Sequence, residues 1–243
     1  MENELFIFPQ EDRVYIENKY HNTNEPFDGF NRMAYHGYEY DSATGLSDEE
    51  IDDGLKVLVN ELGNLPRSVI KARAVEFVLD NTRIDINKND YFPGIYSWGR
   101  LIDKHTINIW LKEAVEKTEK TLNDSNVHAL INAGAMSINL DFDHIVPDYD
   151  SMLELGFGDI LNRAQKAYDS LQEKTESQEA FFVALKIEYE AILRFIDRLY
   201  KYSLSKSFDK QKRISDSLKN LYNGAPLNSY DVLLMIYLYF MIN

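Results

Sequence analysis

The residues with the clearest chemical potential lie between Asn132 and Gly158, where acids, a histidine and small residues occur together. A histidine beside carboxylates is a common acid–base arrangement, and carboxylate oxygens also suit a hard metal ion. The side chains that could supply either chemistry are Asp141, Asp143, His144 and Asp148. Their spacing matches no metal signature, and exposed acids around a turn are the simpler interpretation. We therefore assign no catalytic and no metal-binding residue here.

The elements around these residues favour a ligand-facing loop. Ile138, Leu140 and Phe142 alternate with polar residues, which predicts a short half-buried strand or an extended segment. Pro147-Asp148 then predicts a turn or the first turn of a helix, and the apolar spacing from Tyr149 to Leu155 predicts a helix that ends near Gly156. Because loops between a strand and a helix often carry ligand-facing residues, we expect His144, Asp143 and Asp148 to line a substrate side.

An aromatic loop from Tyr91 to Arg100 is a second candidate wall for a pocket. Its glycines allow close backbone approach and its aromatic side chains give it a rigid apolar body. Tyr96 and Trp98 would then wall the pocket. A packed connector is the alternative, and the residue types favour it over the pocket wall.

The remaining pattern is mainly helical, with a few short strands. Ser47 and Glu50 form a capping-box pattern before a helix that ends near Gly63, and Pro66 opens the next helix. Further helices are predicted over 101–122, 160–171, 179–204 and 208–222. Residues 81–90 are predicted as a turn-rich connection and 172–178 as a charged turn. Residues 1–46 form an acidic, aromatic arm without periodicity, so we divide the chain into this irregular arm and a helical portion, 47–243.

Composition excludes several classes of function. The net charge of −14 disfavours nucleic acid, because binding to phosphates depends on lysine and arginine. The chain has no cysteine, which excludes disulfides and cysteine nucleophiles within it. No signal peptide is visible, and the longest apolar run, Val232 to Ile242, is shorter than the roughly 20 residues of a membrane span. We expect no membrane partner and a cytoplasmic location.

Three sequence motifs occur together in one known family of enzymes. One is H-x-x-P-D-Y followed by D-x-x-L-x-x-G-F, which runs from His144 to Phe157. Another is the helical K-A-R-A at Lys71 to Ala74, followed by x-D-x-F-x-G around Phe92. The third is a long helical pattern carried by Phe181, Ala184, Ile187, Ala191, Phe195 and Arg198. With these motifs the chain resembles the glycyl radical enzymes, the pyruvate formate-lyase family.

The resemblance covers roughly residues 47 to 242 and corresponds to the amino-terminal part of such an enzyme. It implies the outer helices and first strands of a ten-stranded α/β barrel, and it also implies a helix over 229–242. Members of the family, which serves anaerobic metabolism, use a glycyl radical that a separate iron–sulfur activase installs, and this radical generates a thiyl radical on a cysteine. The cysteine and an R-V-x-G glycine motif are absent here, so the chain by itself is expected to hold no cofactor and to be inactive.

Three interpretations remain open. The chain could be the amino-terminal part of a glycyl radical lyase or dehydratase, with the remainder of the enzyme, or a partner protein, docking on the apolar run Ser229 to Ile242. It could instead be a stand-alone module that binds a small molecule or a protein without catalysis. In the third interpretation it is an unrelated helical scaffold. The resemblance favours the first.

Overall fold

The computed structural model describes residues 9–21, 44–95, 101–102, 105–106, 117, 120, 125–135 and 147–242, and within them the chain is mostly helical. Residues 101–102, 105–106, 117 and 120 also have helical geometry. The helices are α1 Gln10–His21, α2 Asp48–Glu61, α3 Arg67–Asn81, α4 Ser125–Asn132, α5 Tyr149–Ser170, α6 Glu176–Leu204, α7 Gln211–Asn223 and α8 Ser229–Ile242. Two strands, β1 Ile84–Asp85 and β2 Gly94–Ile95, lie between α3 and α4.

Local capping signals start the helices that the sequence predicted. The Ser47 side chain accepts a hydrogen bond from the Glu50 amide, and the Glu50 carboxylate accepts one from the Ser47 amide at 2.8 Å, so the predicted capping box is confirmed. Pro66 is the N-cap residue of α3, as predicted. A second capping box, Thr175 with Gln178, starts α6 at Glu176. The charged turn predicted over 172–178 is therefore shorter than expected.

The long helix α6 is the centre of the core. It packs against α3, α5 and α7. The side chains that it buries are Ala184, Ile187, Ala191, Phe195, Ile196, Leu199 and Ser203. This stripe at helical spacing was predicted to be core, and the structure confirms that prediction.

Two arginines join α6 to α3. The Arg194 guanidinium pairs with Glu76 at 2.8 Å and with Asp80 at 2.9 Å. Arg198 donates to the Leu79 and Thr82 carbonyls at the end of α3. Terminal helix carbonyls lack partners within their own helix, so Arg198 serves as a side-chain cap for α3.

The strands β1 and β2 form a two-stranded antiparallel sheet. Ile84 pairs with Ile95, and Asp85 pairs with Gly94. Thr44 and Leu46 add bridges to Ile84 and Thr82. The connection over 81–90, which was predicted to be turn-rich, thus contains the strand β1. Its own residue pattern did not reveal the strand, because the residues that pair with β1 lie outside this segment.

Helix α5 is broken at Gly156. The residue has φ 68° and ψ 172°, and helical residues lie on both sides of it. An added Cβ there would lie 2.4 Å from the Gly224 carbonyl oxygen, in the turn between α7 and α8. The predicted helix end at Gly156 is therefore a kink, because the chain turns around the Gly224 backbone and resumes the helix.

Helix α1 lies in the arm for which the sequence predicted no regular structure. Asp12 is buried, and its carboxylate accepts hydrogen bonds from Asn89 and Tyr91 at 2.8 and 2.7 Å. Tyr15 donates to Asp90 at 2.7 Å. These partners lie more than 70 positions away, so no local pattern could reveal them.

Helix α8 is apolar on almost every side, and most of it is buried against the rest of the chain. Its buried residues are Asp231, Leu234, Met235, Leu238, Met241 and Ile242. Leu233 and Phe240 are 56% and 53% exposed. The predicted free apolar surface is therefore reduced to one stripe. No helix within the described ranges combines the length and hydropathy needed to cross a bilayer.

Candidate functional site

Most of the predicted site lies outside the described residues. His144, Asp143, Tyr96 and Trp98 belong to segments that the structure does not describe, as does the predicted strand over 138–142. Their substrate-side role stays a prediction. Asp148 is described, and it lies at the start of α5.

Asp148 is the N-cap residue of α5. Its carboxylate accepts hydrogen bonds from the Ser151 amide at 3.1 Å and the Ser151 hydroxyl at 2.5 Å. These bonds, with a smaller contribution from the charge of Arg163, lower the pKa of the Asp148 carboxyl. The side chain is exposed and ionised near neutral pH, so one function of the acid is to cap α5.

A cavity of about 340 Å³ opens one turn beyond Asp148. It lies between α3, α5, α6 and α8. Its walls are mostly apolar, and the lining side chains are Val75, Ile102, Met152, Phe157, Glu188, Tyr189, Ile192, Tyr239 and Ile242. This volume falls within the range of small-molecule pockets, about 300–1,000 Å³. The predicted walls Tyr96 and Trp98 are not among the described lining residues.

Three polar side chains line this apolar space. Burial raises the pKa of the Glu188 carboxyl, and the charge of Lys71 opposes the shift only in part. Burial also raises the pKa of Tyr189 and of Tyr239. The charge of Arg163 opposes this shift at Tyr189, and the charge of Asp148 adds to it. None of the three polar groups forms a hydrogen bond with the described part of the chain.

Two further polar clusters share one arrangement. In each, an aspartate carboxylate accepts hydrogen bonds from a tyrosine and a lysine, and the lysine ammonium group lies over the ring of that tyrosine. In the first, Lys210 lies 4.2 Å from the centroid of Tyr91, and both donate to Asp12. Burial by itself would raise the pKa of Asp12. The hydrogen bonds from Lys210, Tyr91 and Asn89 outweigh burial, so the pKa is lowered. Burial and the bond to Asp12 raise the pKa of Tyr91 to about 12.

The second cluster joins β1 to the end of α6. Tyr202 donates to the buried Asp85 at 2.6 Å, and Lys206 lies 3.4 Å from the same carboxylate oxygen and 4.5 Å from the Tyr202 ring. Burial by itself would lower the pKa of Lys206. The interactions with Tyr202 and Asp85 outweigh burial, so the pKa is raised. Both clusters are arranged to hold elements together, since their polar groups are already paired.

The buried histidine His105 was also missed by the sequence reasoning. Its Nδ1 lies 2.7 Å from Asp52 Oδ1, and its Nε2 lies 3.6 Å from Asp48 Oδ1. Asp48 and Asp52 are four residues apart on α2, but His105 is 53 positions beyond Asp52, so no local pattern links them. Within the ranges that the structure describes, no three histidine or acidic side chains have the geometry of a metal site.

Comparison with known proteins decides the family. The family model for pyruvate formate lyase-like proteins matches residues 97–242, which is more than half of the chain. The chain belongs to the pyruvate formate lyase-like family. The matched range includes Trp98, Asp143, His144 and Asp148 and starts one residue after Tyr96. The resemblance seen in the sequence is therefore confirmed at the level of the family.

Solved structures agree with this family in fold. The glycerol-bound form of the B12-independent glycerol dehydratase from Clostridium butyricum matches with a TM-score of 0.56 and 16% identity, over 79% of this chain and 31% of the dehydratase. A glycyl radical enzyme from Archaeoglobus fulgidus matches with a TM-score of 0.57 and 14% identity, over 83% of this chain and 32% of that enzyme. This pyruvate formate lyase-like chain thus spans about a third of the length of either structure. A search of curated proteins found no significant match.

Proposed function

We propose that this chain is the amino-terminal part of a glycyl radical enzyme, a lyase or dehydratase that acts on a small organic substrate. The observation that carries the proposal is the agreement between the family match over 97–242 and two structural matches that cover about four fifths of this chain. In this proposal α2, α3 and α5–α8 are outer helices of the barrel, and β1 and β2 belong to its first strands.

The chemistry requires groups that this chain does not contain. A glycyl radical enzyme abstracts a substrate hydrogen with a thiyl radical, and the 243 residues include no cysteine. The thiyl cysteine and the radical glycine would therefore come from the remainder of the enzyme, and the iron–sulfur activase would act there. This chain would supply part of the pocket wall.

The docking surface for that remainder would include the exposed stripe of α8. Leu233 and Phe240 are seven residues apart and therefore lie on the same face of the helix. Leu227, in the turn before α8, is 76% exposed. A helix that is apolar on all sides is usually buried on all sides, so this stripe is where further protein would pack.

The segment 132–148 would face the substrate. His144 and Asp143 would contribute polar contacts beside the capped end of α5, with Tyr96 and Trp98 as walls. This assignment rests on the family motif from His144 to Phe157, which lies inside the matched range.

The test is the mass of the native gene product. Source cells lysed directly in SDS, to prevent proteolysis, are blotted with antibody raised to this chain, and the recombinant 28.3 kDa chain serves as the size marker. A band roughly three times larger is the expected result. A single band that comigrates with the marker would contradict a one-chain enzyme.

A stand-alone binding module is the second candidate, and one observation favours it. Helix α8 places Leu234, Met235, Leu238, Met241 and Ile242 in the core of this same chain, so other described helices cover much of its apolar surface. A purified chain that is monodisperse and does not bind ANS would favour this module. Aggregation or strong ANS fluorescence would favour the missing remainder.

A further inference from the structure

The cavity between α3, α5, α6 and α8 has the features of a ligand site that the family match does not assign. We propose that it binds a small primary amine with an apolar body, such as an arylalkylamine, with the ammonium group on Glu188. This proposal does not depend on the radical chemistry proposed above, because it concerns a site made of this chain's own described residues.

The apolar walls of the cavity favour a ligand with an apolar body. Met152 and Phe157 of α5 and Ile242 of α8 are all less than 10% exposed, and Val75 and Ile192 face the same space. Burying a ligand's hydrocarbon part against these side chains removes its apolar surface from water at roughly 25 cal/mol per Å². A strongly hydrated ligand would lose more hydration free energy than it gains from contact with these walls.

The carboxylate of Glu188 favours a cationic ligand. A carboxylate among apolar walls is costly unless it is paired, and Glu188 accepts no hydrogen bond from the described residues. Lys71 of α3 acts on Glu188 electrostatically but does not cancel the effect of burial. A ligand ammonium group would supply both the missing charge and hydrogen-bond donors.

Two tyrosines complete the site. Tyr189 of α6 and Tyr239 of α8 line the cavity on different elements, and their hydroxyls have no described partner. Each hydroxyl can accept a hydrogen bond from an ammonium group, and each ring face attracts a cation. Two further charged groups act on Tyr189: Asp148, at the start of α5, and Arg163, in the middle of α5.

The experiment is calorimetric titration of the 243-residue chain with 2-phenylethylamine and, separately, with its neutral analogue 2-phenylethanol. We expect the amine to bind about ten- to a hundred-fold more tightly, as a hydrogen bond to a charged group allows. The variant Glu188→Gln should abolish this preference. Glu190→Gln is the matched control, since Glu190 lies two residues further along α6 with a side chain that is 44% exposed, and it should bind both ligands as the unsubstituted chain does.

A pH series on the unsubstituted chain tests the same idea without a variant. Only the carboxylate form of Glu188 pairs with ammonium, so amine affinity should rise with pH through the raised pKa of Glu188 and then level off. Affinity for the alcohol should not change in this way. Equal affinity for amine and alcohol, a preference that survives Glu188→Gln, or a flat pH profile for the amine would each overturn the proposal.

Discussion

Replacing Gly156 by alanine should be among the most damaging single changes in this chain. The backbone of Gly156 has φ 68° and ψ 172°, a region that residues with a Cβ adopt only at a cost of about 1–3 kcal/mol. The new Cβ would also lie 2.4 and 2.5 Å from the Gly224 carbonyl oxygen and carbon. These are backbone atoms, so α5 and the turn after α7 would have to separate.

The magnitude follows from these two contributions. Forcing extra volume into a packed contact costs about 1–3 kcal/mol, so the total destabilisation is about 2–6 kcal/mol. Small domains have an unfolding free energy of about 5–15 kcal/mol. Gly156→Ala therefore removes a large fraction of the stability, and it also displaces the segment of α5 that carries Asp148 and Met152.

The assay is urea unfolding followed by far-UV circular dichroism, with Gly158→Ala as the matched control. A Cβ at Gly158 meets no atom within 4 Å, and alanine is the better helix former by about 0.5–1 kcal/mol. The two variants, two residues apart in one helix, should therefore shift the midpoint in opposite directions. A Gly156→Ala variant as stable as the unsubstituted chain, or an equal loss in both, would refute the reasoning.

Three further predictions concern polar contacts. Asp231→Ala should lower the unfolding free energy by about 3 kcal/mol or more, because it leaves donors of Ser217, Asn220 and Leu227 without their acceptor; Asp231→Asn should cost less in the same urea assay. Thr175→Ala should cost about 1 kcal/mol by removing the cap of α6, which a shift in melting temperature would detect, whereas an unchanged melting temperature would contradict the capping assignment. Because the folded-state pKa of Asp12 is lowered from 3.8, its stabilisation is present above that pH and lost as the pH falls through the folded value. Limited proteolysis should therefore cut α1 faster at acidic pH, and Asp12→Asn should remove this dependence.

Helix positions were the most predictable part of the fold. The capping box at Ser47, the proline at Pro66 and the apolar stripe of α6 act between residues three or four positions apart, so the sequence displays them directly. The predicted helix over 229–242 agrees with α8 in both bounds. The family was also predictable, because its motifs consist of local spacings.

The predicted substrate side stays a prediction, because His144, Asp143, Tyr96 and Trp98 lie outside the described residues. Asp148 was predicted to be a substrate-side acid, and the structure shows it as the N-cap residue of α5, four residues before Met152, which lines the cavity. Glu188 was not selected, since one glutamate within a long amphipathic helix has no distinguishing pattern. Its chemistry arises from burial among side chains of four helices, which the spacing along α6 does not encode.

The sequence by itself determined where the helices start, which faces are apolar and to which family the chain belongs, because each of these depends on neighbours within a few residues. Tertiary structure alone decided the helical state of α1, the kink at Gly156 and the burial of the Glu188 carboxyl without a hydrogen-bond partner among the described residues. The partners of Asp12 are 77 and 79 positions away, and the backbone that requires a glycine at 156 belongs to Gly224. Contacts at such separations depend on how whole helices pack, and packing buries or pairs a polar group only after the fold has brought distant residues together.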